Sequence, residues 1–144
     1  MILVGTPNYC TDFTGPSKQP LKYDNIMYTM HRYIDVTEEK PCENALLESV
    51  VAQGIPVFVS EWGTSAEEEA VLKSGEYDNE AVTYQENAKP FIDYMKEHRI
   101  SWTAWALGNK EEAHSMIRSS CDKYSGWTSN DLTDFGRLIF SNFK

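Results

Sequence analysis

The chain has 144 residues, enough for one domain with a buried core, and its 41% hydrophobic and 12% aromatic content are those of a folded globule. A formal net charge of −9 argues against a nucleic-acid surface and against anionic membranes, both of which need clustered Lys and Arg. No apolar run approaches the roughly 20 residues that span a bilayer, and no charged-then-apolar leader opens the sequence.

Four short apolar segments read as strands buried on both faces, the pattern of a parallel sheet: Ile2-Leu3-Val4, Ile26 to Met30, Val57-Phe58-Val59 and Trp102 to Trp105. The first connection, from Gly5 to Asn25, is rich in Pro, Ser and Asp and supports at most a short helical turn. Pro41 suits a first helical turn, Leu46, Leu47, Val50 and Val51 form an apolar stripe behind it, and Gly54 stops the helix. Asp78 or Asn79 is a candidate cap for the next helix. In it Tyr84, Ala88, Phe91, Ile92 and Met95 share a face, and Pro90 should kink or shorten it. Phe135, Leu138 and Ile139 mark a last helix. Cys10, Cys42 and Cys121 match no zinc-ligand spacing and are expected as free thiols. The run Glu67-Glu68-Glu69 reads as a solvated loop.

Strands alternating with helices imply right-handed βαβ units on a parallel sheet. Functional groups in such folds collect past the carboxyl ends of the strands. Thr6, Asn8 and Tyr9 come after the first strand, His31 and Tyr33 after the second, Glu61 and Trp62 after the third, and Trp105 after the fourth, with Lys110 and Glu112 in the loop beyond. An acid, an imidazole, a phenol and an indole at one sheet edge suit a sugar site. Aromatic faces stack on pyranose C–H surfaces, and a carboxylate attacks or stabilises a developing oxocarbenium ion. Taken singly, each residue has a plainer role: a turn-capping Glu, a half-buried His, aromatic rings in a core, charges at a helix start. An open flavodoxin-like sheet is the fold-level alternative, against which stands the lack of a Gly-rich phosphate loop after the first strand.

Three motifs then point to a family. Met27-Tyr28-Thr29-Met30-His31-Arg32-Tyr33, Val57 through Ser65 and Ser101 through Leu107 resemble the last three strand motifs of glycoside hydrolase family 5 endoglucanases of the bacterial cellulase type. Val4-Gly5-Thr6 resembles the fifth strand of that fold, and Gly126 through Leu132 its closing segment. The resemblance implies that residues 1–144 are a single α/β domain, half of a (β/α)8 TIM barrel, with four parallel strands equivalent to strands five to eight. It implies retaining cleavage of β-1,4-glucan without cofactor or metal, and an extracellular parent family, although this chain carries no signal peptide.

The resemblance also assigns roles. Glu61 matches the nucleophile, and His31 and Tyr33 match the residues that orient it. Trp105 matches the glycone-side stacking platform, and Lys110 and Glu112 match polar sugar contacts. Tyr9 stands where the family usually has an aglycone-side Trp, and Glu67 where it usually has a small residue. The acid/base glutamate that ends strand four of the family's barrel has no counterpart among these strands, so the chain is expected to be weak or inactive alone. A non-catalytic, self-assembling half-barrel that at most binds glucan is the competing reading.

Four strands cannot close on themselves, so a homodimer completing the barrel is expected. By strict alternation, Val57, Val59, Met27, Thr29 and Thr103 should face inward with His31 and Glu61.

Overall fold

In the computed structural model, which describes residues 1–65 and 84–143, the chain forms one four-stranded sheet in the order β1-β2-β3-β4, with every neighbouring pair parallel. The strands are β1 (Ile2–Val4), β2 (Ile26–Asp35), β3 (Val57–Ser65) and β4 (Trp102–Ala104). The apolar segments expected for the two middle strands are in place, but the strands run further than expected. β2 and β3 continue through His31–Tyr33 and Glu61–Trp62, so these residues lie within the strands rather than beyond them. Among the described residues neither β1 nor β4 has a strand on its outer side.

The connections hold a short helix α1 (Thr14–Lys18) and longer helices α2 (Ala45–Ala52), α3 (Lys89–Glu97) and α4 (Asp134–Asn142). Leu47 and Val50 are the buried residues of α2, and Gly54 just beyond it adopts a φ of +70°, the left-handed stop that glycine allows. Pro41 does not open this helix. The helix begins at Ala45, and the stretch before it is tied instead to Asn87: Lys40 N–H donates to Asn87 Oδ1 at 3.1 Å and Cys42 N–H to the Asn87 carbonyl at 3.0 Å. The buried Asn87 amide in turn donates to the carbonyls of Asp35 and Glu38 at 3.1 and 2.7 Å. One side chain thus satisfies the loop between β2 and α2.

Pro90 sits in the first turn of α3, which begins at Lys89 after a 3₁₀ turn over Gln85–Ala88. The proline therefore shortens the helix rather than kinking it, because at that position its missing N–H has no intrahelical partner to lose. Phe91, Ile92 and Met95 are buried as the periodicity predicts. The expected caps Asp78 and Asn79, and the acidic run Glu67-Glu68-Glu69, lie outside the described residues.

The core fills the side of the sheet that the helices cover. Tyr28, Met30, Ile34, Val57 and Val59 project from the strands to meet Leu47, Val50, Phe91, Met95, Phe135 and Ile139. At its centre Trp62 is fully buried, with ring centroids 5.7 Å from Phe91, 5.6 Å from Trp102 and 5.8 Å from Phe135, all edge-on. Such edge-to-face contacts add about 0.5–1.5 kcal/mol each to burial.

This packing corrects the alternation argument. Val57 and Val59 face the helices, while Glu61, two residues beyond Val59, pairs with His31. The register steps from Met30↔Val59 to His31↔Glu61, leaving Ser60 as an extra residue in β3. A bulge of this kind shifts the two-residue phase by one. The inner face is therefore lined by Thr29, Phe58, His31 and Glu61, with Thr103, whose hydroxyl donates to the Ser60 carbonyl at the bulge. The bulge is what allows a buried Val57-x-Val59 pattern and an inward Glu61 to share one strand.

α4 is fastened by Thr133, whose hydroxyl accepts from Gly136 N–H at 2.9 Å and donates to the Ser115 carbonyl at 2.6 Å. Thr133→Ala removes both, and an N-cap loss of this type should lower the unfolding free energy by about 1–2 kcal/mol, read from urea denaturation.

Candidate active site

β2 and β3 pair side by side, so the register His31↔Glu61 and Tyr33↔Gly63 brings the acid, the imidazole and the phenol to the carboxyl end of the sheet. Tyr33 Oη donates to Glu61 Oε1 at 2.9 Å. His31 Nδ1 lies 3.9 Å from Glu61 Oε2, an ion-pairing distance that is too long for a hydrogen bond. The side chains of His31 and Glu61 are 28% and 27% exposed, open enough to meet a ligand and sheltered enough to be held. Burial, and then the Glu61 carboxylate it bonds, push the Tyr33 phenol well above the ordinary tyrosine range. The shift favours the neutral phenol, the form that donates to Glu61.

Gly63 explains how Tyr33 comes so close. A Cβ at this position would stand 2.7 Å from the Trp105 carbonyl, 2.9 Å from His114 Cβ and 3.4 Å from Tyr33 Cε1. Gly63→Ala must push back the Trp105 backbone, and an overpacked contact of this kind costs about 1–3 kcal/mol. A drop of that size in chemical denaturation, together with loss of any activity assigned to Glu61, is the expected outcome.

Trp105 directly follows β4; its N–H donates to the Trp62 carbonyl at 2.7 Å and the residue is 50% exposed. The Trp105–Ala106 peptide is cis. The loop beyond returns to the sheet end: Ala106 N–H donates to the His114 carbonyl at 3.0 Å and Met116 N–H to the Ala106 carbonyl at 3.2 Å. Within that loop Glu112 takes two partners, Lys110 Nζ at 3.8 Å and His114 Nε2 at 2.9 Å.

Tyr9 is reached differently. Asn8, Tyr9 and Cys10 have φ values of 53°, 52° and 62°, a left-handed turn that costs about 1–2 kcal/mol per residue for side chains with a Cβ. The turn sends Tyr9 outward, where it is 89% exposed, and Cys10 inward, where its Sγ accepts from the Thr29 hydroxyl at 3.1 Å. Thr29 shares a face with His31, so the turn is anchored to the inner side of the sheet.

Of the residues singled out in the sequence, Glu61 thus meets both Tyr33 and His31. Trp105, Lys110 and Glu112 lie past the neighbouring strand, and Tyr9 stands apart on the first loop. Trp62 belongs to the core. Glu67 lies outside the described residues. Sequence reasoning misses His114 and Gly63: His114 lies nine positions after Trp105 in a polar loop, and nothing in its local sequence marks it. The three cysteines are unpaired, as expected.

Residues 1–111 match the family model for cellulase, glycosyl hydrolase family 5. An endoglucanase of Clostridium saccharobutylicum is 34% identical over 139 residues, covering 96% of this chain and 28% of that protein. Endoglucanase A of Butyrivibrio fibrisolvens is 37% identical over 135 residues, covering 93% and 29%. A thermostable, halotolerant GH5 cellulase from an Icelandic hot spring isolate superposes with a TM-score of 0.73 at 27% identity, covering 96% of this chain and 42% of that structure. The chain spans less than a third of the length of these curated relatives, and its strands correspond to half of a (β/α)8 barrel.

Proposed function

Because the chain belongs to glycosyl hydrolase family 5, we propose that its residues form the nucleophile half of a retaining β-1,4-glucanase site. The observation that carries this reading is the 2.9 Å bond from Tyr33 to Glu61 at the open end of the sheet, with His31 beside the second carboxylate oxygen. One oxygen is held and the other is left to react. In the proposed chemistry Glu61 attacks the anomeric carbon as the glycosidic C–O bond breaks, giving a glycosyl ester that water then hydrolyses. Trp105 supplies a stacking face, Tyr9 a second one across the cleavage point, and Lys110 with Glu112 polar contacts to the sugar hydroxyls.

A retaining mechanism needs a second carboxyl about 5–5.5 Å from the first to protonate the leaving oxygen. The groups that meet Glu61 among the described residues, Tyr33 through a hydrogen bond and His31 at 3.9 Å, are not carboxylates. The proposal therefore has a distinct kinetic signature. General acid assistance is worth about 10²–10⁴-fold, and a leaving group that needs no proton escapes that loss. The chain should release dinitrophenolate from 2,4-dinitrophenyl β-cellobioside while cleaving phenyl β-cellobioside at least about 10²-fold more slowly. Absence of dinitrophenolate release would overturn the catalytic reading in favour of a module that only binds glucan, which a pull-down on insoluble cellulose detects.

Among the described residues no strand covers the outer side of β1 or β4, and this, with the exposed Ile2 and Leu3, calls for further strands. A second copy of the chain is the proposed cover. Sedimentation should give twice the 16.5 kDa chain mass, and a folded monomer at micromolar concentration refutes it. Among the described residues no helix is long and apolar enough to cross a membrane.

A further inference from the structure

His114 sits between two parts of the site that the sequence alone leaves unconnected. Its ring meets the Tyr33 ring edge-on, with centroids 5.4 Å apart and planes at 70°. Its Nε2 lies 2.9 Å from Glu112 Oε2. An ionised carboxylate only accepts, so Nε2 carries the proton of that bond. Its Cβ stands where Gly63 leaves room, 2.9 Å from the position a Cβ there would take. The imidazole is 22% exposed and the Glu112 carboxylate 38%, so the pair is held at the rim and not free in solvent.

The connection runs in one line. Glu112 orients the His114 ring, the ring closes one side of the Tyr33 phenol, and the phenol fixes Glu61 at 2.9 Å. The cross-strand neighbour of Tyr33 is the small Gly63, which leaves the space that His114 takes beside the phenol. We propose that His114 is a positioning residue of this site: its ring wedges the Tyr33 phenol against Glu61 and couples the loop carrying Lys110 and Glu112 to the strand carrying the carboxylate. The role rests on the reading of Glu61 as nucleophile, but the coupling itself is a property of the unliganded protein and can be measured there.

The test has two arms on the full chain. In the first, tyrosine is labelled at ¹³Cζ and the Tyr33 resonance is assigned by its loss in Tyr33→Phe. His114→Ala should displace that resonance, and His114→Phe, which retains a ring but lacks the orienting bond to Glu112, should displace it less. His114→Ser serves as the truncation if the alanine variant does not fold. An unmoved resonance on truncation overturns the proposal, and so does equal displacement in the truncation and in His114→Phe. In the second arm the chain is treated with 2-deoxy-2-fluoro-β-cellobiosyl fluoride and monitored by intact mass. Glu61 attacks C1, the C1–F bond breaks, and fluoride departs with the electron pair, so no acid is needed. His114→Ala should slow labelling by about 10- to 100-fold, the scale on which a small misplacement of a reacting group acts, with His114→Phe closer to wild type. Labelling at an unchanged rate in His114→Ala overturns the proposal. Failure of the wild-type chain to label at all overturns the nucleophile reading instead, and the resonance of Tyr33 then decides on His114 by itself.

Discussion

Replacing Glu61 with glutamine should reduce release of dinitrophenolate from 2,4-dinitrophenyl β-cellobioside to the buffer rate, a fall of at least about 10⁴-fold from whatever the chain achieves. The substitution is nearly isosteric. The amide oxygen still accepts from Tyr33, so the 2.9 Å contact and the surrounding sheet can persist. What disappears is the negative charge and the nucleophilic oxygen, and with them the covalent route. The circular dichroism spectrum and the melting temperature should stay near those of the wild type, which separates loss of chemistry from loss of fold. Equal rates in the two proteins remove the nucleophile assignment. Azide added to Glu61→Ala gives a further check: a small anion entering the space left by the carboxylate should restore glycosyl transfer and yield a glycosyl azide of inverted anomeric configuration.

The largest effect on stability should come from Gly136→Ala. In an exposed helix interior this change stabilises by about 1 kcal/mol, because alanine loses less backbone entropy. Here the sign reverses. A Cβ at residue 136 would collide with the Met116 carbonyl oxygen and stand 2.9 Å from its carbonyl carbon. These are backbone atoms, and their stretch of chain is fixed on both sides: Met116 N–H donates to Ala106 and the Met116 carbonyl accepts from Thr133 N–H at 3.1 Å. Relief requires α4 to lift away from the loop, which uncovers Phe135 and Ile139, both fully buried. A destabilisation of about 3 kcal/mol or more is expected, seen as a shifted urea midpoint or as failure to accumulate folded protein. A variant as stable as the wild type shows that the helix is not seated as described.

Parts of this molecule are legible in its sequence because the forces that shape them are local. β-strand periodicity, β-branched and aromatic content, and the glycine at 54 all act over a few neighbouring residues, so the four strands and α2, α3 and α4 can be read without any partner. Glu61, His31 and Tyr33 are legible for a related reason. Each stands within three residues of the end of an apolar run, and parallel pairing of β2 with β3 sets the ends of those runs side by side.

Pairing itself is decided between strands. The extra residue at Ser60 arises where β3 meets both β2 and β4, and it turns Val57 and Val59 to the helices and Glu61 to the open face, against the simple two-residue period. Trp62 reads as a site residue in the sequence because it adjoins Glu61, yet the same bulge sends its ring into the core. Pro41 has the right chemistry for a helix start, but the residues on either side of it are bonded to Asn87, distant in sequence, and the helix begins only at Ala45.

Composition and local patterning thus determine by themselves that this is a parallel α/β chain with one carboxylate, one imidazole and one phenol at a shared sheet edge. The face on which each residue lies, the seating of His114 against Tyr33 and the need for glycine at 63 and 136 are decided only by tertiary structure. Each depends on backbone and side-chain atoms from segments far apart in the chain, and the steric and hydrogen-bonding terms that choose among them exist only once those segments are packed together.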